Sequence, residues 1–534
     1  MTNGAASAAQ VTNTMEEGVT MGSQHKLERV PSFALILGCC VALTMGTAAR
    51  ADQYDNCVKI SGSEAVKQTQ TMDPAFLIAA DDAMHIWSVY EPLVELDQDF
   101  NTRPRLAEPW ESNADGTQWT FHVRKGVKFH DGKELTAEDV VYTYKRLIDP
   151  KVASPAGPEL KFLSPEGIEA VDRNTVRFTT KEPIAELPLL ISEKQDLIVQ
   201  NNATKEQLAT GDYGTGAYKV EVFKPGDPVR VLRRNAEYWD KSLPKADCLK
   251  ITANDQPLSL AAQIKTGEVD VAPQIDGTTA VTLSKDSNIE IVTPRQGSVL
   301  EIAMWIDTPP FNDARVREAL KLVADREALV KTVLLGYGSV ADDNPIPPTS
   351  PAAFEKQPMY KPDIAKAKQL LAEAGHQNGL ALDLYTADVI PGLVRLAEAY
   401  AQMAAPAGIN ITVHRTPTES YWDDVWNKYP FFTSGWTLRP TGLALAIGWS
   451  SKSPWNETHW KVAAFDNLLD EAGHTLQADQ RVDVYRKAER MLTEEGGVVM
   501  PVFATTLAAV RKNCSGFVPQ SANTPDFRYL ECKR

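Results

Sequence analysis

A change of hydrophobic period within one short stretch constrains the fold more than any other feature of the chain. Residues 119–129, WTFHVRKGVKF, alternate apolar and polar side chains around a turn at Gly126, which predicts a half-buried hairpin. The next segment, TAEDVVYTYKRLIDP (136–150), has apolar residues at helical spacing and a capping pair at Thr136 and Asp139. A sheet and a helix this close in sequence predict a core that combines both.

The same two patterns recur along the 534 residues. A second hairpin is predicted from AYKVEVF and VRVLRRN on either side of residues 224–227, and helices are predicted in residues 313–334 and 363–375. The proline-rich residues 342–354 between those helices predict a linker or a structured crossing. The fold class is therefore α/β, in a chain long enough for two to four compact units.

A leader precedes this α/β chain. Lys26 and Arg29 come before the apolar run SFALILGCCVALTM (32–45), and an A-x-A pattern at 49–51 follows it. These features predict a cleaved secretory signal peptide over residues 1–51 and a mature protein in the periplasm. The run is shorter than the roughly 20 residues of a membrane anchor.

Two alternatives for this leader remain open. Leu37-Gly38-Cys39 resembles a lipoprotein signal, although cleavage there would leave apolar residues at the new terminus. The polar residues before Lys26 also leave Met15 or Met21 as possible starts.

The net charge of −15 argues against two classes of partner. The leader contains three basic and three acidic residues, so its removal leaves the charge unchanged. Nucleic acids and anionic membrane surfaces select clustered basic residues, so neither is expected as the main partner.

Four cysteines remain after the leader, in an oxidising compartment where disulfides form. Of the three possible pairings, we favour Cys57–Cys248, which joins an early strand to a later one, and Cys514–Cys532, which closes a C-terminal loop. None has the spacing of a metal ligand, so no metal site is predicted.

The motifs of common enzymes are missing from the sequence. H-E-x-x-H, G-x-S-x-G and the phosphate-binding loop do not occur. S-x-x-K at 242–245 and K-T-G at 265–267 match β-lactamase motifs, but they lie about twenty residues apart and no S-D-N accompanies them. We therefore expect a protein that is not an enzyme and has no cofactor.

From about Asp52 to the C-terminus, the chain resembles the extracytoplasmic solute-binding proteins of ABC importers, in the class (solute-binding protein family 5) that holds dipeptide, oligopeptide, nickel, glutathione and opine binders. The resemblance rests on ordered segments: MDPAF (72–76), YEPLVELDQDFNTRPRLAEPWE (90–111), DGTQWTFHVRKGVKFHDGKELTAEDVVYTYKRL (115–147), GTGAYKV (214–220), RRNAEYW (233–239), FNDARVREAL (311–320) and YKPDIAKAKQLLAEAG (360–375).

The resemblance implies a two-lobed periplasmic-binding-protein fold of type II, with an extra domain inserted in the first lobe. Lobe I would comprise residues 52–95, 214–298 and 505–534, the extra domain residues 96–213, and lobe II residues 299–504. A solute bound between the lobes would favour a closed form that membrane permease subunits recognise. We expect a monomer.

Two ligand anchors of dipeptide binders are missing on this resemblance. The segment after Gly435-Trp436 should carry an aspartate for the peptide amine, but it reads TLRPTG. The strand segment 380–392 lacks the arginine for the peptide carboxylate and offers Asp388 instead. We therefore expect Arg439 to bind a carboxylate or phosphate of the ligand, because guanidinium offers paired donors.

Of the remaining predicted ligand contacts, Asp388 would bind an amine or hydroxyls. Three tryptophans, Trp436, Trp422 and Trp305, would form stacking walls. Thr437 and Tyr385, which lie beside these segments, are also predicted contacts. Each has a structural alternative. Trp305 fits a core position, Trp422 fits packing on its own helix, and Asp388 fits a cap or turn.

The expected function is capture of a peptide-like or other small anionic or zwitterionic solute, such as an opine-like conjugate or a phosphorylated sugar. The alternatives are capture of a metal chelate and a chaperone or interaction role without transport.

Overall fold

The computed structural model describes residues 53–62, 70–78, 80–254, 256–293, 297–354, 360–519 and 525–534. The predicted signal peptide, residues 1–51, lies outside the described residues.

A mixed sheet of seven strands collects segments from distant parts of the chain. Its innermost strand, Val58–Ser61, runs parallel to its neighbour, with Val58 opposite Leu249. In spatial order the strands are Ile289–Val292, Leu507–Arg511, Val271–Ile275, Val58–Ser61, Cys248–Thr252, Val229–Arg234 and Tyr218–Val222. The last two form the second predicted hairpin, which is confirmed.

A second mixed sheet has six strands. In order they are Gly338–Val340, Val498–Ala504, Ser298–Met304, Phe431–Thr437, Leu380–Thr386 and Ile409–Arg415. Strand Ser298–Met304 is buried on both faces, with Leu300 and Ile302 in one core and Val299 in another. Helices therefore cover both sides of this sheet.

A third sheet has four antiparallel strands, in the order Ala107–Ser112, Gln118–Val123, Thr175–Thr179 and Ile168–Asp172. The predicted hairpin across Gly126 is wrong. Strand Gln118–Val123 pairs with the first and third strands of this sheet, and beyond the turn the chain makes only an isolated bridge between Lys128 and Glu134. Alternation identified the strand but not its partners: one, Ala107–Ser112, precedes it across a short turn, and the other, Thr175–Thr179, follows much later in the sequence.

Two short pairs of strands complete the β-structure of the described residues: Val94–Leu96 with Thr102–Pro104, and Cys514–Ser515 with Glu531–Cys532.

The α-helices of the described residues are Ala80–Val89, Ala137–Leu147, Leu187–Leu190, Lys205–Thr210, Pro257–Thr266, Gly277–Leu283, Ala314–Leu322, Arg326–Val333, Ile364–Glu373, Leu393–Ala404, Tyr421–Asp424, Thr441–Trp449, Ala463–His474 and Ala478–Glu495. Within the described part of the chain, none is both long and apolar enough to span a membrane.

Side-chain caps set several helix starts. The backbone N–H of Thr136 donates to Asp139 Oδ2 at 2.8 Å, as the capping pair predicts. The helical pattern over 313–334 forms two helices rather than one, because Asp325 accepts from the backbone N–H of Ala328 and begins the second.

The sheets divide the chain into discontinuous groups. Strands of the seven-stranded sheet fall at 58–61, 218–292 and 507–511, those of the four-stranded sheet within 107–179, and those of the six-stranded sheet within 298–504. The exact boundaries of the predicted lobes and extra domain stay a prediction.

Candidate functional site

A cavity of about 540 Å³ lies between the seven-stranded and six-stranded sheets. This volume is within the usual range of small-molecule sites. The lining residues are Asn254, Leu260, Gln274, Ile275, Asp276, Gly277, Thr279, Gly297, Ser298, Leu334, Tyr337, Val389, Ile390, Pro391, Arg395, Gly435, Trp436, Thr437, Ala504, Thr505, Thr506 and Leu507.

Strand pairing explains why these residues meet. Ser298 opposes both Thr437 and Ala504 in the six-stranded sheet, so three strand ends lie at one edge. Only Thr505 and Thr506 separate Ala504 from the next strand, which belongs to the seven-stranded sheet. The cavity is therefore built where the chain crosses from one sheet to the other.

Two charged side chains line the cavity, and they differ in what they already bind. Asp276 caps helix Gly277–Leu283 and accepts from the backbone N–H groups of Thr278 and Thr279 at 2.7 and 2.9 Å. Partial burial raises the pKa of Asp276, but the hydrogen bonds from Thr279 and Thr278 outweigh it and lower the pKa overall. Its oxygens are thus engaged in the protein.

Arg395 has the opposite character. It lies in the first turn of helix Leu393–Ala404 and is exposed. Among the described residues it has no hydrogen-bond or ion-pair partner, and it borders the cavity. A guanidinium in this state is available to a carboxylate or phosphate.

Trp436 lines the cavity beside two buried acids. Its indole Nε1 donates to Glu457 Oε1 at 2.5 Å and lies 3.1 Å from Glu301 Oε1. Both acids have no exposed surface. Burial, and secondarily the charge of Glu457, raises the pKa of Glu301 well above its usual value.

Of the predicted ligand contacts, Trp436 and Thr437 line the cavity. Arg439 does not. It is half-buried, and its Nε is buried with no hydrogen-bond partner among the described residues. Its positive charge acts on Glu193, where it opposes the increase in pKa caused by burial. The backbone reaches the cavity at Thr437 and has left it two residues later.

The other four predicted residues also lie outside this lining. Asp388 is exposed, and only the three residues that follow it reach the cavity. Trp305 and Tyr385 pack against one small core around Tyr421, and Trp422 contacts the edge of that same tyrosine.

These outer aromatics have partners of their own. Trp305 stacks on His459 with 4.1 Å between ring centroids, and Tyr385 stacks on Tyr429 at 3.8 Å. The structural alternatives for Trp305 and Trp422 therefore agree with these contacts, while a ligand role for either stays a prediction.

The sequence prediction omitted Arg395, Asp276, Glu301 and Glu457. A lone glutamate in the apolar run LEIAMW was a usable signal for Glu301, because a charge in a buried strand needs a reason. Arg395 gave none, since spacing cannot distinguish the solvent face of a helix from a face that borders a cavity.

Disulfides join Cys57 to Cys248 and Cys514 to Cys532, the same two pairs that the sequence favours. The first holds strand Cys248–Thr252 to the turn before Val58–Ser61, and the second closes the C-terminal pair of strands. The sulfurs of Cys514 and Cys532 lie near Asp270, but a disulfide offers no thiolate for a metal.

Residues 101–457 match the profile of the family described as bacterial extracellular solute-binding proteins, family 5 Middle. The chain belongs to this family. It is thus the solute-binding protein of an ABC transporter, with the α/β periplasmic-binding-protein fold, and it is not an enzyme.

Relatives of this solute-binding protein are named for different solutes. Heme-binding protein A of Haemophilus influenzae is 28% identical over 465 residues, covering 80% of this chain and 84% of the relative. The glutathione-binding protein GsiB of Salmonella choleraesuis is 28% identical over 447 residues, covering 80% and 86%.

The structure of HbpA2 from Haemophilus parasuis matches with a TM-score of 0.77 at 24% identity, covering 90% of this chain and all of that one. A likeness at this identity establishes the fold and leaves the solute open.

Proposed function

We propose that this protein captures a small anionic or zwitterionic solute in the cavity between its two large sheets and delivers it to membrane permease subunits from the periplasm. The observation that carries the proposal is the guanidinium of Arg395, which borders a cavity of ligand size and has no partner among the described residues. Peptide-like solutes, opine-like conjugates and sugar phosphates all offer the carboxylate or phosphate that such a group binds.

Arg395 fits this role better than Arg439. Arg439 lies outside the cavity lining and acts on a protein carboxylate, Glu193. Arg395 has no competing carboxylate among the described residues, so a ligand anion would be its first charged partner. A charge-assisted hydrogen bond of this kind contributes about 1.5–3 kcal/mol, which corresponds to roughly 10- to 150-fold in affinity.

The test is native mass spectrometry of protein isolated from its own periplasm, for the wild type and two matched variants, Arg395→Gln and Arg439→Gln. We expect a co-purified anionic or zwitterionic solute on the wild type and on Arg439→Gln, and its loss from Arg395→Gln. Retention on Arg395→Gln with loss from Arg439→Gln would assign the clamp to Arg439 and overturn this account.

The same samples separate the alternative functions. A metal-chelate binder would lose its solute after dialysis against EDTA, whereas the solute proposed here would remain. A protein with a chaperone role would carry no small solute and would show no change in radius of gyration when the periplasmic extract is added.

A further inference from the structure

We propose that the buried pair Glu301 and Glu457 makes Trp436 a cation-binding wall of the cavity, so that the solute carries an ammonium or similar cationic group together with its anion. This inference rests on the proposed function and specifies the class of solute.

Glu457 holds two indoles at once. Its Oε1 accepts from Trp436 Nε1 at 2.5 Å, and its Oε2 accepts from Trp426 Nε1 at 2.6 Å. Glu301 reaches the same indole from the neighbouring strand, where it lies opposite Ser434. Residues 434 and 436 share one face of their strand, so the acid and the indole are diagonal neighbours.

The charge of this pair has no cationic partner in the described part of the chain. Neither acid forms an ion pair with lysine, arginine or histidine there, and Glu301 Oε2 is buried without a hydrogen-bond partner. Two buried carboxyls this close retain a shared proton, and the higher pKa of Glu301 agrees with a proton on that residue. In the described part of the chain, the side-chain oxygens of Glu457 accept from two indole N–H groups and from no cationic side chain.

A buried charge without a counter-ion is costly, and proteins usually pair such a charge. Trp436, which binds these acids, also lines the cavity. A cation in the cavity would be attracted both by the π-system of the indole and by the charge of the acids that it binds. A donor N–H bound to carboxylate also polarises the ring, which increases its attraction for cations.

A second indole lies beside Trp436, outside the cavity lining. Trp455 lies 6.4 Å from Trp436 between ring centroids, tilted by 41°, and is 43% exposed. The cavity would therefore bind a cation at Trp436 and an anion at Arg395, which describes a zwitterion.

Other carboxylates of the cavity and its approach do not fill this role. Asp276 is engaged as a helix cap, and residues 437–442 contain no acid. The acids that bind Trp436 therefore place negative charge beside the cavity in addition to Asp276, whose oxygens are already engaged.

The experiment uses tetramethylammonium chloride, a cation without hydrogen-bond donors, as a probe that does not depend on the identity of the solute. The mature protein is labelled with ¹⁵N-tryptophan, and the indole N–H resonance of Trp436 is assigned by its loss in Trp436→Phe. Tetramethylammonium chloride is titrated against sodium chloride at equal ionic strength. We expect a saturable shift of the Trp436 resonance in the wild type.

The test variant is Glu457→Gln, which retains an oxygen acceptor for an indole and removes the charge. We expect its affinity for the probe to be at least about fivefold weaker, as for the loss of a favourable cation–π site. The control is Glu166→Gln, which removes an exposed charge near the four-stranded sheet and should bind as the wild type does. Retained indole dispersion in the spectrum checks that each variant is folded.

No saturable shift of Trp436 in the wild type would overturn the inference, as would equal affinity in folded Glu457→Gln. If Glu457→Gln does not fold, Trp436→Phe is titrated with the same probe by calorimetry, and an affinity equal to that of the wild type would overturn the inference. Because the probe is independent of the transported solute, either failure leaves the transport proposal to be decided by the co-purification experiment.

Discussion

The hydroxyl of Tyr485 donates to Glu186 Oε2 at 2.7 Å, and this bond joins helix Ala478–Glu495 to the segment that follows the four-stranded sheet. Arg481 adds an ion pair to the same carboxylate, with its Nε 3.2 Å from Oε1. Nearby, the backbone N–H of Ala185 donates to Gly473 O at 2.9 Å. These contacts connect distant parts of the chain away from the cavity.

We expect Glu186→Ala to lower the apparent free energy of unfolding by about 1.5–3 kcal/mol, because it leaves Tyr485 and Arg481 without their acceptor. Tyr485→Phe should lower it less, by about 1 kcal/mol, since Arg481 still pairs with Glu186. Urea denaturation of both variants and of the double variant measures the coupling. Fully additive effects would show that the hydroxyl and the carboxylate do not interact.

Local rules predicted the elements well where one residue decides the outcome. The capping pair of Thr136 and Asp139 and the stop at Gly375, where φ is +92°, both depend on chemistry within a few residues. The break at Asp325 follows the same capping rule, but the apolar spacing resumes after it and by itself predicts a continuous helix.

The candidate site was only partly predictable because it depends on contacts between distant segments. Trp436 and Thr437 were predicted from the family resemblance, which places a ligand contact near the Gly435-Trp436 pair. Arg395 and Asp276 line the same cavity only because the two sheets are assembled from separate parts of the chain. No spacing within either segment carries that information.

The glycines of the GTGAY motif (214–218) have a steric role that a substitution can test. A Cβ on Gly216 would lie 2.5 Å from both Ser88 O and Val89 O, at the end of helix Ala80–Val89. We expect Gly216→Ala to destabilise the protein by about 1–3 kcal/mol, because backbone atoms must move.

The matched control is Gly473→Ala. Gly473 is within helix Ala463–His474, and a Cβ there meets nothing within 4 Å. Alanine should stabilise the protein by about 0.5–1 kcal/mol because it favours the helix. Thermal unfolding of both variants checks the pair, and a shift of the same sign in both would contradict the steric argument.

The two disulfides should differ in their contribution to stability. Cys57–Cys248 closes a separation of 191 residues and Cys514–Cys532 one of 18. The chain-entropy model gives about 5 kcal/mol for a loop near the first length and about 3 kcal/mol for one near the second. Replacing each pair by serines should therefore lower the melting temperature more for Cys57 and Cys248. Equal decreases in melting temperature would show that the entropy of the unfolded chain does not dominate the stabilisation by these disulfides.

A buried histidine should make stability depend on pH. His85, on helix Ala80–Val89, is 1% exposed, and burial, followed by the charge of Arg230, lowers its pKa to about 3. In the unfolded chain its pKa is near 6.5, so between pH 6.5 and 3 the unfolded state binds a proton that the folded state excludes. This contribution is fully present above pH 6.5 and is lost as the pH falls.

The free energy of unfolding of the wild type should therefore decrease by about 2 kcal/mol more than that of His85→Gln between pH 6.5 and pH 5. Glutamine is uncharged over this range, so the variant retains the other titrating groups and lacks only this one. Urea denaturation at the two pH values gives the difference. Parallel decreases in the two proteins would mean that His85 takes up its proton in the folded state, and that the helix admits the charge.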